Sequence, residues 1–85
     1  MNTEEAKRMV VAALTDVAPE IDEGSIRPDV PFQEQFDMDS MDVLNYVTGL
    51  EESAGRQIPE RDYPHVASLS LATAYLMQHA VASDA

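Results

Sequence analysis

Residues Phe36 to Asp42 read FDMDSMD, one serine among three aspartates, immediately before a helical pattern begins. Carboxylates at this spacing raise the chemistry of a calcium loop, because Asp37 and Asp39 match the first two ligand positions of an EF-hand. The match then stops: Met41 falls where a third oxygen ligand belongs, Asp42 replaces the turn glycine, and Thr48 stands where a bidentate glutamate is required. A serine nucleophile is the second possibility. The chain holds only His65 and His79 as imidazole bases, neither within a nucleophile motif, and it lacks a G-x-S-x-G elbow. A third reading is structural: Asp39 and Ser40 start a helix, whose unpaired N–H groups and positive dipole end suit a serine destined to carry a phosphate ester.

The elements that must position this serine follow from periodicity. Ala6, Met9, Val10, Ala13, Leu14 and Val17 recur at the spacing of a one-faced helix from Thr3 to Val17, with Thr3 as N-cap and Pro19 marking its end. Residues 18 to 38 carry three prolines, Gly24 and six acidic side chains without a sustained period. So long a connector in so small a domain must be anchored, and Ile21, Ile26, Val30 and Phe32 are the anchors available.

A second helix is expected from Ser40 to about Ala54, with Asp39 as N-cap and Gly55 as its stop. Val43, Tyr46, Val47, Leu50 and Ala54 form its core stripe, and Met41, Leu44 and Thr48 a shallower apolar row on the serine side. Glu60 to Val66 is expected to form only a short helical turn, because Pro64 disfavours a helical Tyr63. Ser68 then caps a last helix, with Leu69, Ala72, Leu76 and Ala80 on one face and Leu71 and Tyr75 beside them, fraying through Ser83. No strand alternation, hairpin signal or internal repeat is present. The fold class is all-α, a single domain over residues 1–85: three longer helices, one short helix and a long structured loop between the first two.

Composition narrows function further. Sixteen acidic against five basic residues give a formal charge of -11, which repels nucleic acid and anionic lipid and favours partners that present Lys and Arg. Cysteine is absent, so the chain has no thiol nucleophile of its own. The charged N-terminus MNTEEAKRMVV does not read as a signal peptide, and no apolar run approaches membrane-spanning length. A soluble, monomeric, cytoplasmic protein is expected. Eighty-five residues also leave little room for a water-excluding cleft, so autonomous catalysis is not expected.

Asp39-Ser40-Met41-Asp42, Leu50-Glu51-Glu52, Gly55, Ile58-Pro59 and Ala74-Tyr75-Leu76 occur in the order and spacing of a known pattern. On these residues the chain resembles an acyl carrier protein over nearly its whole length. The resemblance implies a non-enzymatic carrier. In it, Ser40 receives 4'-phosphopantetheine from coenzyme A through a phosphopantetheinyl transferase, and the arm's thiol holds acyl groups as thioesters for fatty acid, lipid or polyketide-type biosynthesis. It also implies that Asp39, Asp42, Glu51 and Glu52, with the apolar Met41 and Leu44, meet basic patches on partners. Those partners are acyl-transferring, ketoacyl-synthase-type or acyl-activating enzymes.

Family members often shelter the acyl chain between helices, which makes Val43, Tyr46, Val47, Leu50, Ala54, Ile58, Val66, Ala72 and Leu76 candidate lining residues. Departures from the pattern are Asp37 for a usual glycine, Asn45 for a glutamate, Thr48 for a methionine and Ala54 for a large aromatic, and they suggest a specialised carrier. A chain that starts with methionine and stops soon after its last helix reads as freestanding. Two other readings stand beside this one: an acidic helical interaction domain without a prosthetic group, and an aminoacyl or peptidyl carrier, whose G-G-x-S motif the chain lacks.

Overall fold

A computed structural model describes residues 1–79, with only the backbone of His79 included. Ala80 and Ser83, placed by periodicity on the last helix, lie outside the described residues. The elements run α1 (Thr3–Val17), a single 3-10 turn (Glu23–Ser25), the short α2 (Phe32–Gln35), α3 (Ser40–Ala54), a longer 3-10 helix (Glu60–Val66) and α4 (Leu69–His79). The described chain is all-helical, as the periodicity predicts.

α1 packs against both α3 and α4. Its buried face is Ala6, Val10, Val11, Ala13 and Leu14, with Met9 and Val17 half-buried at the edges. Its N-cap is Asn2, one residue earlier than the sequence suggests. The Asn2 carboxamide accepts from Glu5 N at 2.8 Å and the Glu5 carboxylate accepts from Asn2 N at 3.2 Å. This reciprocal box needs an acidic or amide side chain three residues after the cap, which Asn2 finds in Glu5 and Thr3 would not find in Ala6.

The connector between α1 and α3 is more ordered than its composition suggests. Ile21, Ile26 and Phe32 are buried and Val30 is half-buried. Backbone bonds from Phe32 N to Ala67 O and from Ser70 N to Pro28 O fasten it to the start of α4. Gln35 closes it on itself: its Nε2 donates to the carbonyls of Arg27 and Val30, each at 2.7 Å, and its Oε1 accepts from Arg27 N at 2.8 Å.

Residues 60–66 form a seven-residue 3-10 helix that runs through Pro64, longer than the turn expected. The ring's fixed φ near -65° falls within the 3-10 range, so Pro64 costs a donor and no backbone distortion. Two tyrosines hold this segment to the bundle. Tyr46 Oη donates to Val66 O at 2.9 Å, and Tyr75 Oη donates to the Asp62 carboxylate at 2.8 Å. Ser68 caps α4 by accepting from Leu71 N at 3.2 Å, and Leu69, Ala72, Tyr75 and Leu76 bury that helix's inner face while Leu71 stays exposed.

Candidate functional site

Helix α3 starts where the sequence places it. Asp39 has extended backbone and accepts from Asp42 N at 2.9 Å, while the Asp42 carboxylate accepts from Asp39 N at 3.3 Å. The two carboxylates therefore close a capping box around Ser40, and both sit at the positive end of the helix dipole. Ser40 is the first helical residue and is exposed. At the other end Gly55 adopts φ 72°, the left-handed conformation that suits glycine, and its N–H bonds to Glu51 O at 2.9 Å.

Asp37, beside this turn, needs no glycine: among the described residues no non-glycine has positive φ. It lines, with Glu20, Asp22 and Asp42, an open acidic cleft of about 390 Å³ next to the start of α3. No cluster of ligating side chains there or elsewhere among the described residues is arranged to hold a metal ion.

The six residues flanking the serine that sequence reasoning singles out divide by their surroundings. Met41 is 61% exposed and Leu44 44% exposed, and together with exposed Glu52 they lie free on the outer side of α3. Asp39 and Asp42 are engaged in the cap. Glu51 is half-buried and accepts from Ile58 N at 2.7 Å, tying the end of α3 to the following loop. Of the two histidines, His65 lies exposed on the 3-10 helix, and the His79 side chain lies outside the described region.

Beside the start of α3 an apolar cavity of about 270 Å³ opens between α2, α3 and the 3-10 helix. Of the nine lining positions expected from the sequence, Val43, Tyr46, Val47 and Val66 do line it. Leu50, Ile58, Ala72 and Leu76 are buried in the core and do not border it, and neither does half-buried Ala54. Phe32, Met38 and Tyr63 complete the apolar wall together with Pro31, Gln33, Pro64 and Ala67, none of which the sequence reading assigned to it. The one available signal is Phe32, already expected to anchor the connector.

The deep end consists of Phe32, Tyr46, Val47 and Val66, each at most 3% exposed. Tyr46 is fixed there by its bond to Val66 O and by an edge-on contact with Phe32, the ring centroids 5.4 Å apart. Burial pushes its phenol well above the ordinary tyrosine range. Loss of solvent, then the hydrogen bond its hydroxyl donates to the Asp62 carboxylate, raise Tyr75 as well.

Comparison with known proteins bears directly on this arrangement. No family model matches the chain. It is 34% identical over 59 residues to the acyl carrier protein of Lactobacillus johnsonii, covering 69% of this chain and 74% of that one. It is 29% identical over 62 residues to the acyl carrier protein of Rubrobacter xylanophilus, covering 73% and 76%. With acyl carrier protein 2, mitochondrial, of Arabidopsis thaliana it shares 30% identity over 59 residues, 69% of this chain and 47% of that longer one. The chain these relatives match is a small all-helical bundle with a serine exposed at the head of a capped helix, beside an apolar cavity. The chain belongs to the acyl carrier protein family.

Proposed function

We propose that Ser40 carries a 4'-phosphopantetheine arm and that the chain holds acyl intermediates on it as thioesters, presenting them to biosynthetic enzymes. The observation that carries this reading is the placement of Ser40. It is exposed at the first position of a fifteen-residue helix, flanked in sequence by Met38 and Val43 of the cavity wall. The residues suit the group. A phosphodiester at Ser40 meets the unpaired N–H end of α3, and an acyl chain on the arm has an apolar space within reach.

Loading is a phosphopantetheinyl transferase's work. The Ser40 oxygen forms a new bond to the pantetheine-bearing phosphorus, the pyrophosphate linkage of coenzyme A breaks with adenosine 3',5'-bisphosphate as the leaving group, and the hydroxyl proton passes to the transferase. The arm supplies the thiol that the cysteine-free chain lacks. Met41 and Leu44 offer shallow apolar contact and Glu52 an unengaged carboxylate, which suits small, transient interfaces with basic partner surfaces. Asp39, Asp42 and Glu51 add charge to that surface while keeping their backbone bonds.

Incubation with coenzyme A, Mg²⁺ and a broad-specificity transferase, followed by intact-mass measurement, tests the assignment. The expected outcome is a gain of one phosphopantetheinyl group on the native chain and none on Ser40→Ala. An unmodified native chain would return the protein to the class of acidic interaction domains, and an equal gain on the variant would remove Ser40 as the attachment point.

A further inference from the structure

We propose that Tyr46 is the specificity-determining residue of this carrier, the rigid back wall that limits sheltered cargo to medium-length acyl chains. This rests on the carrier reading above and adds to it the length class of the cargo.

Burial orders the cavity from mouth to floor. Gln33 and Pro64 are exposed and Val43 is half-buried, whereas Phe32, Tyr46 and Val66 are inaccessible to solvent or nearly so. A chain entering beside Ser40 passes Val43, one helical turn on, and meets Tyr46 six residues along α3, about 9 Å down its axis. An aliphatic wall residue can change rotamer as cargo arrives, but Tyr46 is held at two points. Its hydroxyl bonds to Val66 O at 2.9 Å, and its ring stands edge-on to Phe32. Moving it aside would leave the Val66 carbonyl buried without a donor. The floor is therefore stiff, and the cavity does not lengthen into the core.

Its size follows from its volume. The cavity's 270 Å³ is about nine times the ~30 Å³ that one water-sized group occupies in a liquid, and a methylene is of similar size, so the space fills at about nine carbons. A longer chain keeps its distal carbons in water or on a partner protein.

The experiment begins with the intact-mass check of Ser40 loading, which tests the carrier reading by itself. The loaded protein is then acylated with saturated chains of four to fourteen carbons. Melting temperature is measured for each, with the NMR shifts of the Tyr46 and Val66 amides. The native series should gain several degrees from four carbons up to about nine and then stay flat, with the amide shifts saturating at the same length. In Tyr46→Leu, which removes both the phenol and its tether, the break should move to a longer chain.

A native series that climbs steadily to fourteen carbons overturns the proposal, as does a break that stays in place in a folded Tyr46→Leu protein. If that variant does not fold, Tyr46→Phe keeps the ring volume and releases only the tether. It is then expected to move the native break to longer chains, and an unmoved break there also overturns the proposal. Failure at the loading step instead removes the carrier reading and leaves no thioester to measure.

Discussion

Tyr46 is the residue at which fold and site meet, and its buried phenol has a consequence for stability. Below pH about 10, the ordinary tyrosine value, the folded and unfolded chains both keep the proton. Above it the unfolded chain releases the proton while the fold, holding Tyr46 at a raised pKa, does not. Its contribution is thus fully present below that pH and is lost as pH rises, by about 1.4 kcal/mol per pH unit. Denaturant midpoints between pH 9 and 11.5 should fall accordingly, and Tyr46→Phe should flatten the slope while Tyr75 retains its share.

Glu51 teaches a related lesson at the same scale. Its type and position suggest a free carboxylate, yet it accepts a backbone bond from Ile58. Sequence separation hides such pairs, because a loop that doubles back carries no periodic signal.

Among the elements, α3 was legible to the residue, since both of its ends are written in local chemistry: an aspartate cap at one and a left-handed glycine at the other. At the start of α1 the cap is Asn2 and not Thr3: the two polar residues compete, and only the reciprocal Glu5 decides. The connector was the least legible. Its apolar anchors could be read, but Gln35 looks like any solvated side chain until it is seen holding two backbone segments together.

Gln35→Ala removes three such bonds and should destabilise the domain by about 1–2 kcal/mol, since partial exposure lets water replace some of them. Urea denaturation would measure this, and an unchanged midpoint would mean that the bonds to Ala67 and Pro28 suffice alone. The cavity was half legible for a kindred reason. Its α3 wall follows from helical spacing, whereas Phe32 and Tyr63 reach it from segments that show no period.

For the whole molecule, charge is the dominant fact. A net -11 on 85 residues makes the compact state repel itself, and this cost shrinks as salt shortens the screening length from about 30 Å at 0.01 M to about 8 Å at 0.15 M. Melting temperature should therefore rise over that interval. A fall would show that attractive pairs outweigh the repulsion. The same increase in salt should weaken binding to any partner with a basic docking surface. The composition makes this character readable at once, and no described helix is long and apolar enough to cross a bilayer.

The two sides of the apolar cavity differ in how they are held. Tyr46 and Val66 belong to the sealed interior, where exchange with solvent requires the fold itself to open. The facing side, Pro31 to Gln33, belongs to the connector, which the bond from Phe32 N to Ala67 O ties across to the start of α4 and the Gln35 bonds, at or near the surface, close on itself. None of these bonds involves α1, so a local opening of the connector would leave the packing of α1 on α3 and α4 in place. On the carrier reading proposed above, the connector side would govern how fast a guest exchanges and the α3 side how large a guest can be.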